Sequence, residues 1–338
     1  KLSGKAVAEK ASVPCVPGLT LSGPIDAAFL KKVEAIGFPV MVKASAGGGG
    51  KGLRVVREAG ALKGDVERAS TEAKASFGDG TVFVEKFIER PRHVEIQLAA
   101  DRFGNAAACV ERDCTVQRRH QKLIEESPSP AVTPAIRERM QEAAIRLAKT
   151  CGYQNVGTVE FLLDRRGDFF FIEVNTRLQV EHPVTETVTG LDLVKTQIML
   201  AAGETLPFDQ ARASEIRCHA IEHRINAEDP TRNFAPCPGL IESLSWPGGA
   251  GVRLDTHLYQ GYTVPSYYDS LLAKLIVWSE DRPSAIRRSL RALGELEVRG
   301  IETTAAFHTK VLRDPRFGSG DFDTSLVDQM LKEEAVPA

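Results

Sequence analysis

The chain has 338 residues, 43% of them apolar, which is enough for about two domains with ample core. A net charge of −2 from 43 basic and 45 acidic residues argues against a basic field for nucleic acid or an anionic membrane, so any positive site is local. Six cysteines without a C-x-x-C pair argue against zinc and disulfide scaffolds and for a reducing cytosol, and no apolar run approaches the roughly 20 residues of a spanning helix.

The chain opens at Lys1 rather than Met, in what reads as a helix over 4–11, so a further segment is expected before it, with a targeting signal there left open. A helix over 25–36 closes at Gly37. A strand over 38–43, a glycine loop over 44–52 and a strand over 53–57 follow. The loop contains G-x-G-x-x-G as Gly47, Gly49 and Gly52, but a dinucleotide fold needs a helix next, and Gly52 after Lys51 breaks a Walker loop. What remains is a glycine flap between two strands, able to cover ATP phosphates with backbone N–H groups, with Lys43 at the strand end as an α-phosphate partner. A plain flexible connection is the alternative.

A helix over 60–77 leads to a strand over 81–88, whose mixed end resembles the hinge on which an adenine pairs with backbone groups. Strands over 91–99 and 106–110 form a hairpin. The stretch 111–122 is dense in hydrogen-bond donors and lacks a helical period. Thr133 caps a helix that has Pro134 in its first turn and runs to about 150.

Residues 157–164 and 169–175 read as two strands joined by the loop 165–168. A four-residue loop pairs Asp164 with Phe169, Glu160 with Glu173 and Thr158 with Asn175. Two carboxylates then face each other, which calls for a divalent cation or a shared proton. Glu160, Glu173 and Asn175 offer oxygen only, the ligand set of Mg²⁺ or Mn²⁺. Arg177, Gln179, Glu181 and His182 follow directly. Beyond a helix over 191–202 and a linker to 215, strands over 216–225, 239–245, 252–255 and 273–278 and helices over 282–293 and 303–312 form a smaller α+β unit. His219 and His223 share a strand face without a third ligand and read as structural.

Six motifs in order carry a family resemblance: Lys43 to Gly52, Arg92 to Gln97, Glu111 to Cys114, Gln117 to Lys122, Glu173 to His182 and Arg224 to Asp229. Together they resemble biotin carboxylase, an ATP-grasp enzyme, along the whole chain. The implied fold is α+β, with an ATP-grasp domain over 1–204, its glycine-flap lid over about 15–90, and a C-terminal biotin carboxylase domain over 205–338. The implied reaction uses ATP and bicarbonate to form carboxyphosphate and then carboxylates biotin on a carrier protein. By resemblance Glu160, Glu173 and Asn175 hold Mg²⁺ or Mn²⁺, while Lys1, Lys43, His93, Gln117 and His120 contact ATP, Glu85, Lys86 and Ile88 its adenine, and Gly49 and Gly50 its phosphates. Lys122, Arg177, Gln179 and Val180 hold bicarbonate, Glu181 deprotonates it, Arg224 stabilises the biotin enolate, and Asp269 lies near the biotin.

The resemblance also implies a biotin carboxyl carrier partner, carboxyltransferase subunits, a cytoplasmic setting, and a homodimer when the family's additional N-terminal Rossmann-like domain is present. Lys1 matches a position just after that domain. Acetyl-CoA carboxylase is the first parent enzyme, with propionyl-CoA, other acyl-CoA or pyruvate carboxylases as alternatives. Another ATP-grasp ligase and an inactive nucleotide-binding module are the competing readings.

Overall fold

The computed structural model describes residues 2–21, 26–44 and 54–335, in two compact units. The glycine flap, with the assignments to Lys1, Gly49 and Gly50, lies outside the described residues.

The first unit comprises Lys1–Pro91 and Phe161–Glu173. After helix α1 (Leu2–Lys10) come strand β1 (Gly18–Thr20), helix α2 (Ala27–Ile36), strands β2 (Val40–Ala44) and β3 (Arg54–Val56), helix α3 (Ala59–Phe77) and strand β4 (Val82–Lys86). The strands form an antiparallel sheet in the order β1-β4-β2-β3. Period-two alternation turns Val40 and Val42 of β2 and Val82 and Val84 of β4 into one buried cluster with Val33 of α2 and Leu62 and Val66 of α3. α2 begins at Ala27 because the Asp26 carboxylate caps it, accepting from the Phe29 N–H at 2.7 Å. It ends at Gly37, whose φ of 80° favours glycine.

The second unit comprises Arg92–Glu160 and Val174–Ala338. The strands of the main sheet, in chain order, are β5 (Arg92–Ala100), β6 (Ala106–Ala108), β7 (Arg112–Arg118), β8 (Gln121–Ser127), β9 (Asn155–Leu163), β10 (Phe169–Asn175), β11 (His219–Asn226), β12 (Val252–Thr256) and β13 (Leu271–Ser279). Among the described residues they make one nine-stranded sheet, ordered β10-β9-β5-β7-β8-β11-β13-β12 with β6 on β5. The β8–β11 pairing carries this sheet through the boundary expected at residue 205. Helices α4 (Pro134–Cys151), α5 (His182–Thr189), α6 (Leu193–Ala201), α7 (Arg282–Glu295) and α8 (Ala305–Arg313) accompany it. Ile221 and Ile225 of β11, Leu275 and Val277 of β13, Leu293 of α7 and Phe307 of α8 share its main core. Each such burial contributes about 1.5–3 kcal/mol. No helix among the described residues is long and apolar enough to cross a membrane.

One stretch gains an assignment and one register changes. The donor-rich stretch 111–122 lies largely in strands β7 and β8, which meet at Arg119 and His120, both at positive φ (49° and 65°). The hairpin register moves by one residue. The Asp164 N–H donates to the Asp168 carbonyl at 2.9 Å and the Gly167 N–H to that of Asp164 at 3.2 Å, with Gly167 at φ 85° as a bulge. Asp164 therefore closes on Asp168 rather than Phe169. The Asn175 carbonyl likewise lies against Gly157, 3.0 Å from where a Cβ would stand, rather than Thr158. The expected direct opposition of Glu160 and Glu173 is thus corrected: a loop of three residues, not four, sets the register.

His223 of β11 and His308 of α8 are fully buried, 5.6 Å apart between ring centroids, with no hydrogen-bond partner for either ring's nitrogens among the described residues. Burial pushes His223 down to about 3; burial first, and His223 second, push His308 well below the usual histidine range. The unfolded chain therefore binds protons below about pH 6.5 that the folded chain does not, so stability is full above that pH and falls as pH drops. Each histidine contributes a slope of about 1.4 kcal/mol per pH unit. Between pH 6 and 4 the urea midpoint of His223→Phe should fall less steeply than that of the parent; parallel curves would refute this.

Candidate active site

The site begins with Arg112, fully buried on β7. Its Nε donates to Glu95 Oε1 at 2.5 Å, and its Nη atoms donate to Gln97 (2.8 Å), Thr185 (3.0 Å), Thr158 (3.1 Å) and Gln179 (3.2 Å). Glu95 and Gln97 reach it from β5 because alternate strand residues share a face. The guanidinium spends all five donors, as a buried cation requires.

Lys122 of β8 is the second hub. Its ammonium lies 2.6 Å from Glu95 Oε2, 2.6 Å from Glu181 Oε1 and 3.2 Å from Glu160 Oε1. Arg224 of β11 closes the line, with Nη2 2.7 Å from Glu181 Oε2 and Nε 2.6 Å from Glu125 Oε1. Glu181, just before α5, thus accepts from a different cation at each oxygen. Glu160 accepts from Asn175 Nδ2 at 3.0 Å and Gln179 Nε2 at 2.9 Å, and lies 3.0 Å from His93 Nε2. The other nitrogen of His93 is 3.2 Å from Gln117 Nε2. Lys122, Arg224, Glu181, Glu160, Asn175, Gln179, His93 and Gln117, separately predicted, therefore converge.

Charge governs this centre. Burial alone raises the Glu95 carboxyl, but Arg112 and Lys122 outweigh it and hold Glu95 at about 2. Glu160 is also held well below the carboxylate range, with its His93 contact prevailing over burial. Burial works against the Lys122 ammonium, yet the surrounding Cys114, Glu95, Glu181 and Glu160 push it well above its ordinary value. Ligand atoms of His93, Glu95 and Glu160 lie within 4.8 Å of one another, as do those of Glu95, Cys114 and Glu181.

The remaining predicted residues stand elsewhere. Arg177 is exposed, its Nη1 donating to the Leu178 carbonyl at 3.2 Å, and the Val180 carbonyl accepts from Lys274 Nζ at 3.1 Å. His120 is exposed at the β7–β8 turn. Asp269 is exposed and caps the Leu271 N–H at 2.9 Å. In the first unit Glu85 pairs with Lys43 at 2.7 Å and Lys5 at 2.9 Å, Lys86 donates to the Gly37 and Phe38 carbonyls at 3.0 Å each, and Ile88 and Glu173 are half-buried.

Sequence reading gave no role to Glu95 or Arg112. The first was within reach, since it lies two residues after His93 on an alternating strand. For Arg112 no local signal existed, because its partners come from β5, β9, α5 and the segment before it.

Known proteins bear on this arrangement. Residues 1–209 match the family model of the carbamoyl-phosphate synthase L chain ATP-binding domain, and residues 222–329 that of the biotin carboxylase C-terminal domain. The chain is 50% identical to a pyruvate carboxylase subunit of Methanothermobacter thermautotrophicus over 97% of its own length and 67% of that protein's. It is 50% identical to a biotin carboxylase of Nostoc over 98% of its length and 74% of that protein's. Among solved structures, the biotin carboxylase domain dimer of Hydrogenobacter thermophilus 2-oxoglutarate carboxylase, in complex with MgADP, ADP and bicarbonate, superposes with a TM-score of 0.87 at 44% identity, over 96% of this chain and 72% of that one. With both family models laid in order along it and relatives at this identity across almost its full length, the chain belongs to the biotin carboxylase family, ligases of the ATP-grasp fold.

Proposed function

We propose that the chain carboxylates biotin on a carrier protein in the ATP-dependent first half-reaction of a biotin-dependent carboxylase. The observation that carries this reading is the line Lys122, Glu181, Arg224: one carboxylate held at 2.6 and 2.7 Å between two cations. That arrangement suits an anion which must bind, lose a proton and leave room for a second, electron-rich partner.

In this reading Lys122 and Arg177 attract bicarbonate, Gln179 and the Val180 backbone fix its plane, and Glu181 takes its proton. The bicarbonate oxygen attacks the γ-phosphorus of ATP, giving carboxyphosphate and ADP. Carboxyphosphate yields CO2 and phosphate, the phosphate takes the ureido proton of biotin, and the resulting enolate, stabilised by Arg224, attacks CO2. ATP contacts are assigned to Lys1, Lys43, Gly49, Gly50, His93, Gln117 and His120, adenine contacts to Glu85, Lys86 and Ile88, and a place near biotin to Asp269.

Glu160, Glu173 and Asn175 are the proposed holders of Mg²⁺ or Mn²⁺. The fit rests on an all-oxygen donor set and on Asn175 meeting Glu160 at 3.0 Å. When bound, the cation neutralises charge on the phosphates of ATP. Glu160→Gln should weaken Mn²⁺ binding at least tenfold, read by water-proton relaxation, and lower ATP turnover with it. Unchanged metal affinity in both Glu160→Gln and Glu173→Gln sinks the shared site.

Partners in this reading are a biotin carboxyl carrier and carboxyltransferase subunits, in the cytoplasm or an organelle, with a homodimer as the assembly when the family's N-terminal domain is present. Acetyl-CoA carboxylase is the first parent enzyme; the half-identical pyruvate carboxylase relative favours pyruvate as the second acceptor to test.

A further inference from the structure

Glu125 of β8 and Glu222 of β11 stand directly opposite each other in the antiparallel ladder. Their side chains therefore share a face, with Cβ atoms about 5 Å apart. Both are fully buried. Glu125 Oε1 accepts from Arg224 Nε at 2.6 Å, but Glu125 Oε2 and both oxygens of Glu222 have no donor among the described residues. The cations nearby are committed elsewhere: Arg224 also serves Glu181, and Lys274, opposite Arg224 on β13, donates to the Val180 carbonyl and lies 3.5 Å from Asp255. On its other side Glu222 stands opposite Ile276 of β13 in the ladder.

Two ionised carboxylates cannot persist in this position, because like charges opposed across a ladder repel and an unpaired buried charge is not tolerated. A single proton between them removes the repulsion and supplies the missing donor. We propose that Glu222 is an un-ionised carboxylic acid whose O–H donates to Glu125 Oε2, and that this pair is a positioning device which keeps Glu125 anionic and aims Arg224 at the reacting biotin. Burial first, and the Glu125 charge second, push Glu222 well above the usual carboxylate range, whereas burial raises Glu125 only to about 7 because the Arg224 guanidinium opposes it, so the proton belongs on Glu222. The positioning role rests on Arg224 acting in carboxylation; the shared proton does not.

The two parts have separate tests on the full chain. Infrared spectra at pH 7 should show the carbonyl stretch of a buried un-ionised carboxylic acid, lost in Glu222→Gln. No such band, or a band unchanged in both Glu222→Gln and Glu125→Gln, overturns the shared proton whatever the enzyme's reaction. For positioning, Glu222→Leu removes the donor and should lower kcat for biotin carboxylation about tenfold, with little change in KM for ATP. Glu222→Gln should rescue most of that loss, because its amide N–H replaces the O–H, and should flatten the alkaline limb of the carboxylation pH profile, since an amide has no proton to lose. Equal kcat and identical pH profiles in parent, Leu and Gln variants overturn the positioning role.

Discussion

Replacing Glu181 by Gln is expected to lower bicarbonate-dependent ATP hydrolysis and biotin carboxylation together, each by roughly a thousandfold. The carboxylate sits between Lys122 and Arg224, accepting from one at 2.6 Å and the other at 2.7 Å. A carboxamide offers one oxygen and turns an N–H₂ group towards the second cation, so a charge-assisted bond is replaced by a clash of donors. It also removes the group assigned to accept the bicarbonate proton, and without that proton transfer carboxyphosphate does not form. The readout is phosphate release with and without bicarbonate beside carboxylation of free biotin. Retention of bicarbonate-dependent hydrolysis by Glu181→Gln would move the general base elsewhere.

Arg224→Ser is expected to separate the two activities. The enolate it stabilises forms only after ATP is cleaved, so carboxylation should fall about a hundredfold or more while bicarbonate-dependent hydrolysis continues. The geometry makes this a demanding test, because Arg224 also touches Glu181 and Glu125. Lys122 still holds the other oxygen of Glu181 in the variant, which is why the first step should survive. Equal loss of both activities would place Arg224 on bicarbonate or in the architecture, and the enolate role would be withdrawn.

Sequence periodicity revealed the apolar elements and missed the polar centre, for a physical reason. β2 and β4 show their buried faces as alternate Val, whereas β7 buries Arg112, Asp113 and Thr115 beside Cys114, so no hydrophobic period exists to be read. Its charges are neutralised by distant residues, Arg112 by Glu95 and Asp113 by Arg92 at 3.0 Å. Helix α5 was overlooked because Pro183 and five β-branched residues in the run Val184, Thr185, Thr187, Val188, Thr189 have poor helix propensity; in the fold Pro183 occupies the first turn, where it costs little. The hairpin itself was legible, but its register depended on one left-handed glycine, Gly167. The carboxylate-rich site was legible because its residues crowd into short motifs, while Glu125 and Glu222, almost a hundred positions apart, become partners only through the β8–β11 ladder.

The central claim is that ATP is spent on activating bicarbonate for transfer to biotin. The most direct measurement incubates the chain with MgATP, biotin and bicarbonate labelled with heavy oxygen, and analyses the released phosphate and the biotin by mass spectrometry. Attack of a bicarbonate oxygen on the γ-phosphorus leaves one labelled oxygen in phosphate and the labelled carboxyl on biotin. Hydrolysis that proceeds equally well without bicarbonate, with unlabelled phosphate and no carboxybiotin, would contradict the account.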